Sequence, residues 1–507
     1  MRRIAATCDK RRVLAMDIVL YPRVAPSDCL RIWLGIFQAT AAPALSWTIN
    51  NAPVVPVALR QLASVRPDAM LPAGVQPEAV ARTFTGVYEF PGLTPDTSYA
   101  ITAEAGASRA TLNTRTLPAA VPTGLDSWFN VLLVSCFHQA EDRKGLAGSV
   151  ASQLKATARP HLTLLMGDQV YLDLPTLQDF PDDLAWLARK FENDYARNWR
   201  GPVGYPHILS AAPSLSVPDD HEYWNNYPHP SPFVGNSLRP EARARWQQAA
   251  QAMYNGFQLA HPHTLGEPVL VEVEPLSFFV ADTRSVRAED RSFFLPEGAH
   301  LQMEAWVATV IAKKQTGVFV TGQSLFAKTA GKIAGTVGDY ALPNYQDYGR
   351  LMRCLQRLAD AGRPTLCLTG DVHWGRVVTA TDICTGRTAF TEIISSPTSL
   401  VTTIGQDHIK HVGAFFSDLF GPQKPWPRHA DAEAPPAFLA SDVLQGRFHC
   451  STAHRQKGNH LVLLRFRRHG SGLALRVIYW PITRDARVAA PTHLPEMSLL
   501  SAEENRQ

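Results

Sequence analysis

Apolar residues in the first quarter of the chain fall into short, partly alternating runs. Residues 28 to 37 (DCLRIWLGIF), 46 to 60 and 84 to 115 are rich in Val, Ile, Thr, Tyr and Phe, with Pro, Gly and Asn between them. A side-chain period of two broken by such residues predicts β-strands. The segment 114 to 124 (TRTLPAAVPTG) is rich in Pro and Thr and reads as a linker. Residues 1 to 117 are therefore expected to form an all-β sandwich domain.

Beyond the linker the pattern changes. A strand at 130 to 136 (NVLLVSC) precedes a helical stretch at 146 to 158, and a second strand follows at 161 to 169 (HLTLLMGDQ). Further helices are predicted at 181 to 200, 239 to 260, 299 to 314 and 345 to 361. Strands are predicted at 214 to 218, 269 to 282, 317 to 323, 364 to 370, 388 to 395 and within 460 to 482. Strands alternating with helices predict a layered α/β (or α+β) domain with largely parallel strands, here over 125 to 490. The stretch 403 to 440 is heavy in Pro, Asp and Gly and is expected to be a surface loop or lid, and 491 to 507 a C-terminal tail. There is no internal repeat and no low-complexity tract.

Composition narrows the picture only a little. With 507 residues, 45% apolar and 19% charged, the chain has ample material for a core and for two domains. A net charge of +4, without a Lys/Arg run, gives no sign of a nucleic-acid groove. Seven unpatterned cysteines argue against a disulfide framework and for a reducing compartment. The arginine pairs Arg2-Arg3 and Arg11-Arg12 precede an apolar run that Asp17 interrupts, a poor export signal. No stretch approaches the roughly 20 apolar residues that span a bilayer. A soluble, cytoplasmic protein is the expectation, and nothing specifies its oligomeric state.

The chemistry gathers at the C-terminal ends of predicted strands, where open α/β sheets place their ligand sites. Four such ends carry reactive residues: Cys136 after VLLVS, Asp168 and Tyr171 in GDQVY, Asp219-Asp220-His221-Glu222 after SLSVP, and Asp371 and His373 in LTGDVHWG. Taken singly, Asp168 could be a helix cap or turn residue, Cys136 a small buried hydrophobe, and His373 a satisfied core histidine. Together they point to metal ions, because carboxylates bunched at strand ends repel one another unless cations neutralise them.

The order Cys, GDxxY, DDHE, GDxH resembles the PhoD-like alkaline phosphatase/phosphodiesterase branch of the calcineurin-like metallophosphoesterases, whose wider pattern is DxH, GDxxD or GDxxY, GNHD/E and GHxH. FFVADTRSVR (278 to 287), WGRVV after the last motif and EIISSPTSL (392 to 400) are also similar to that branch. The likeness covers about 125 to 480. It implies a four-layer αββα sandwich, preceded in many members by a β-sandwich. FPGLTPDTSY (90 to 99) followed by ITAEA resembles the turn and strand of an immunoglobulin- or fibronectin III-like sandwich, with a plain hairpin as the simpler reading.

Carried over by position, the resemblance implies that Cys136, Asp168, Tyr171 and His373 hold Fe3+. Thiolate, phenolate and imidazole suit a strongly Lewis-acidic redox metal. Asp168, Asp220 and Asp371 would hold one or two Ca2+, since oxygen-only ligation suits a hard cation, other divalent metals being possible. Alignment favours Asp220 over Asp219. His221 would be the general acid, or else a residue that orients a ligand. Arg284 would clamp phosphate oxygens, unless it pairs with Asp282. Trp224, Asn225 and Trp374 could line the pocket. His138, two positions after Cys136, is expected to hydrogen-bond or face solvent; His454 and His460 sit just before a predicted strand, and nothing in the sequence supports a contact of theirs with the site. The expected activity is hydrolysis of phosphodiesters or phosphomonoesters by a metal-activated water, with a phosphate ester as substrate and no obligate nucleic-acid partner. A purple-acid-phosphatase-like monoesterase and a noncatalytic, metal-stabilised binding protein are the alternatives.

Overall fold

The computed structural model describes residues 16–124, 126–175, 180–331, 339–399, 446–469, 472–483 and 490–499. The 403 to 440 stretch, expected as a loop or lid, lies outside these residues, as do both arginine pairs. Eight strands come first: β1 (Asp17–Arg23), β2 (Leu30–Ala39), β3 (Ser46–Ile49), β4 (Ala52–Val54), β5 (Val57–Ser64), β6 (Arg82–Phe90), β7 (Ser98–Ala105) and β8 (Ser108–Arg115). They lie in two sheets, in the orders β1-β2-β6-β5 and β4-β3-β7-β8. Ile32, Leu34, Ile36, Phe84, Trp47, Ile101 and Ala103 share one core between them.

The structure differs from a sandwich merely tethered by a linker. Alternate β2 residues Trp33 and Phe37 belong to a different core, with Trp199, Trp246 and Phe257 of the following domain. The Trp33 indole N–H donates to the Gly256 carbonyl at 2.7 Å. β2 therefore reads as an almost unbroken apolar run because both of its faces are covered.

The remaining strands are β9 (Phe129–Val134), β10 (Leu162–Met166), β11 (Ser214–Val217), β12 (Val269–Val273), β13 (Leu276–Val280), β14 (Thr316–Val320), β15 (Thr365–Thr369), β16 (Gly375–Asp382), β17 (Thr388–Ile394), β18 (Phe448–Gln456), β19 (His460–His469), β20 (Gly472–Pro481), β21 (Thr492–His493) and β22 (Met497–Ser498). One sheet of eleven strands runs β21-β20-β19-β9-β10-β11-β1-β2-β6-β5, with β22 beside β20. β11 meets β1 in parallel at Ser214 and Arg23, so one N-terminal sheet continues the main one. The other sheet runs β12-β13-β14-β15-β17-β16-β18. The single strand expected at 269 to 282 is an antiparallel hairpin, β12 and β13, that turns at Glu274-Pro275.

Among the described residues six α-helices cover the outer faces: α1 (Leu146–Thr157), α2 (Leu184–Trp199), α3 (Tyr205–Leu209), α4 (Pro240–Phe257), α5 (Glu297–Ala312) and α6 (Tyr348–Asp360). α2 begins where the Asp183 carboxylate accepts the Trp186 N–H at 2.7 Å. α4 begins with Pro240, whose missing N–H costs nothing at a first turn. Leu132, Val134 and Leu165 pack against Ala147, Leu154, Phe191 and Trp246 of α1, α2 and α4. Their sheet neighbours Val131, Leu133, Leu164 and Met166 face Phe278, Val318, Leu366 and Leu368 of the second sheet. Phe279, Phe319 and Cys367 pack on Met303 and Trp306 of α5 and Leu351 and Leu355 of α6. These three cores define four layers, helix, sheet, sheet, helix. Among the described residues all six cysteines are free, and no helix is long and apolar enough to cross a membrane.

Candidate metal centre

The two sheets present the C-terminal ends of β9, β10, β11, β13 and β15 to one another. The turns leaving them are tight: Cys136, Asp168, Asp371 and His373 all have positive φ, between 54° and 62°. Non-glycine residues rarely adopt that conformation, and it persists where the surroundings impose it. Two glycines permit the close approach. A Cβ on Gly370 would lie 2.2 Å from the Met166 carbonyl oxygen, and one on Gly167 (φ 83°) 2.6 Å from the Asp219 Cβ. The Asp371 N–H donates to Ser135 Oγ at 3.0 Å, which ties the second sheet's turn to the first.

Three groups of potential donor atoms result, each with its atoms within 4.8 Å of one another: Cys136, Asp168 and His373; Asp168, Asp220 and His221; and Asp168, Asp219, Asp220 and Asp371. Asp168 is common to all three. The Tyr171 ring lies 4.4 Å from that of His221, tilted by 38°, and its buried hydroxyl has no hydrogen-bond partner. Burial, then neighbouring Asp220 and Asp219, hold the Asp168 carboxyl well above the usual range despite His221 nearby. Burial and Asp219, Asp220 and Asp168 do the same to Asp371. The Cys136 thiol is pushed up by burial and by Asp168 and Asp371. Crowded, buried acids, an orphaned phenol and a thiol fit cations: a positive charge would lower every one of these groups together.

The main chain of the pair of sheets is shared by known proteins. The chain matches the structure of PhoD with a TM-score of 0.61 at 14% identity, over 94% of this chain and 89% of that one. It matches a purple acid phosphatase from yellow lupin (Lupinus luteus) seeds with a TM-score of 0.55 at 11% identity, over 94% of this chain and 74% of that one. This chain has their fold. No family model and no curated protein matches its sequence.

Within that fold the remaining expected residues take definite places. His221 Nδ1 lies 2.9 and 3.0 Å from the two oxygens of Asp173, so its Nε2 is the nitrogen left for other partners. Burial alone would lower its pKa, but Asp173, Asp220 and Asp168 outweigh that and hold it well above the usual range. Arg284 is not paired with Asp282 through its side chain. Its guanidinium is fully buried, donating to Asp219 Oδ1 at 2.6 Å, to both Asp339 oxygens at 3.1 and 2.6 Å, and to the Tyr227 carbonyl at 2.7 Å. Asp282 accepts the backbone N–H groups of Arg284 and Ser285 instead. Asp220 Oδ2 accepts the Asn226 N–H at 2.6 Å. Trp224 is buried in the helical core, its indole donating to the His229 carbonyl, and the Asn225 N–H donates to Asp173. Trp374 follows His373 in the same turn. The His138 ring lies 5.5 Å from that of Tyr171, with a buried Nδ1 lacking a partner. His454 and His460 flank Tyr479 at 5.0 and 5.1 Å.

Sequence reading gave no role to the residues that hold these turns in place. Glu222 accepts backbone N–H groups of Asp168 (3.0 Å), Gln169 (2.6 Å) and Asp219 (2.9 Å), stitching the ends of β10 and β11 together. Burial pushes its carboxyl up to about 7 against those hydrogen bonds. Ser396 Oγ accepts the His373 N–H at 2.9 Å and lies 3.1 Å from Cys136 Sγ. Asn226, buried and at φ 71°, has neither side-chain amide atom hydrogen-bonded. Its position four residues after Glu222, in a run of polar and aromatic residues, was the available signal.

Proposed function

We propose that the chain is a metal-dependent phosphoric ester hydrolase of the alkaline phosphatase D kind, acting on phosphodiesters or phosphomonoesters. The observation that carries the reading is the trio of donor groups meeting at Asp168, at the strand ends of a fold shared with PhoD and a plant purple acid phosphatase. Cys136, Asp168, Tyr171 and His373 would hold Fe3+, and Asp168, Asp220 and Asp371 one or two Ca2+. When bound, such cations supply Lewis acidity toward phosphate oxygens and water. Asp220 is the better ligand of the adjacent pair, because Arg284 already grips Asp219.

The chain's own residues would do the rest. Asp173 fixes the ring of His221 through Nδ1, leaving Nε2 to give a proton to the departing ester oxygen. Asp173, then Asp220 and Asp168, raise the pKa of that imidazole. Arg284 acts as a strut for Asp219 rather than a clamp on phosphate. We place the catalytic domain at 125 to 490 and regard the strands before it as an immunoglobulin- or fibronectin III-like sandwich fused onto its sheet.

A purple-acid-phosphatase-like monoesterase is the second reading, favoured by the fold match to the lupin enzyme. Asp371 and Cys136, where the wider superfamily has His and Asp, favour the PhoD kind. Nitrophenolate release from bis-p-nitrophenyl phosphate and from p-nitrophenyl phosphate separates the two. Hydrolysis by the wild type about 10²-fold or more faster than by His221→Ala is expected. Equal rates for both proteins would remove the role given to His221, and no turnover of either ester by metal-replete protein would favour the noncatalytic reading.

A further inference from the structure

Leaving β9, the chain runs through Cys136 to His138 beside the metal centre, and its main chain there is held from two sides. The Cys136 and Phe137 N–H groups donate to the carbonyls of Gly167 and Asp168 at 3.2 and 2.8 Å, and the His138 N–H donates to the Ser399 carbonyl at 3.1 Å. Ser399 returns its own N–H to the Cys136 carbonyl at 3.0 Å and its hydroxyl to the His138 carbonyl at 3.0 Å. The Phe137 ring belongs to the helical core, stacked 4.5 Å from that of Tyr205. Position 138 is therefore fixed without help from its own side chain.

That side chain is a half-buried imidazole, 5.5 Å from the Tyr171 ring and nearly perpendicular to it at 69°. Tyr171 thus has two imidazoles beside it, those of His138 and His221. They are anchored differently. His221 commits Nδ1 to the Asp173 carboxylate, as the structural histidine His300 commits Nε2 to Asp347 at 2.9 Å. Nδ1 of His138 is sealed from solvent and has no hydrogen-bond partner. A buried polar atom left alone is costly, and in native proteins it calls for a water, an ion or a reacting group. His138 is in none of the three groups of converging donor atoms, so the cations proposed for the centre do not account for it. The substrate does, because its phosphoryl oxygens are strong acceptors for a ring N–H.

We propose that His138 is a substrate-binding residue of this centre, its Nδ1–H donating to a phosphoryl oxygen of the ester. The proposal rests on the phosphoesterase reading for its substrate. It gives the two imidazoles separate tasks: His221 passes a proton to the departing oxygen, whereas His138 holds the phosphoryl group and keeps its proton.

Metal-replete, full-length His138→Ala, His138→Asn and His138→Gln, compared with wild type, test it by hydrolysis of the preferred nitrophenyl ester and by equilibrium dialysis against labelled inorganic phosphate. The Asn amide nitrogen falls near the place of Nδ1, and the Gln amide nitrogen nearer that of Nε2. His138→Ala is expected to raise KM and to weaken phosphate binding, each roughly tenfold, about one hydrogen bond, with kcat and metal content unchanged. His138→Asn should recover most of both effects and His138→Gln little. A wild type whose phosphate binding depends on His138 but which turns over neither ester would sink the phosphoesterase reading and leave the phosphate contact standing. Hydrolysis with KM and phosphate binding unchanged in His138→Ala would overturn the contact and leave that reading standing. A wild type that binds no phosphate, or a His138→Ala protein that loses its metal, would overturn the contact as well, the latter by making the ring a ligand. Recovery by His138→Gln rather than His138→Asn would contradict the assignment to Nδ1.

Discussion

Two buried polar clusters in this chain are built from similar residues and behave in opposite ways. On the second sheet Arg376 pairs with Glu392 at 2.8 Å, and Glu392 also accepts the Ser324 hydroxyl and the N–H groups of Leu325 and Phe326. Both side chains are all but sealed from solvent, at 2% and 0% exposure, and their charges cancel. At the strand ends, Asp168, Asp220 and Asp371 lie within 4.8 Å of one another, and among the described residues no Arg or Lys forms an ion pair with any of them. The first cluster is closed and contributes only structure. The second is electrostatically open: its carboxylates outnumber the one positive charge that His221 can bring, which is the physical signature of a cation site.

Substitutions sharpen the contrast. The largest effect is expected for His221→Ala, which should cut kcat on the preferred nitrophenyl ester by about 10²- to 10⁴-fold, the usual contribution of a general acid. In the closed cluster, Arg376→Met should destabilise the fold by about 3–5 kcal/mol in denaturant titration, because Glu392 is left buried and unpaired. Asp173→Asn should lower kcat by roughly 10- to 100-fold with bound metal retained, since it frees the ring of His221 without touching a ligand. A variant that loses metal and activity together would instead put Asp173 in the cluster.

Asp371→Asn makes the smallest change and the most diagnostic one. The folded-state pKa of Asp371 is raised, so in metal-free protein the folded state resists its ionisation. That penalty is absent at low pH and grows as pH rises above the unfolded carboxyl value near 3.9. Chelated Asp371→Asn should therefore be more stable than chelated wild type at neutral pH, and the difference should vanish as pH falls below that value. The order should reverse when metal is restored. If the chelated variant is less stable at every pH, the carboxyl is a satisfied structural group and the two clusters are alike.

The strand-end positions of Cys136, Asp168, Asp220, Asp371 and His373 were legible because β9, β10, β11 and β15 are buried on both faces and stand out as apolar runs that stop at polar residues. Other features left no such trace. β18 alternates between half-buried and exposed residues along its whole length, without an apolar face to set a period. Asp17, read as an interruption of an apolar run, begins β1, which pairs along its length with β2. The supports of the site were hidden for another reason: Ser396 lies 260 positions from the Cys136 it contacts, and Asp339 is 55 positions from Arg284. Only the folded chain brings such partners together. Arg284 shows the same limit, since its nearest acid in sequence, Asp282, is not the one its guanidinium meets.

The central claim is that the open cluster holds cations, and elemental analysis of purified wild-type protein beside Asp168→Asn tests it most directly. About two to three metal ions per wild-type chain are expected, iron and calcium among them, falling below one in the variant that loses the shared carboxylate. A wild-type protein that hydrolyses phosphate esters while carrying no stoichiometric metal, or an Asp168→Asn protein with its metal content intact, would contradict the account.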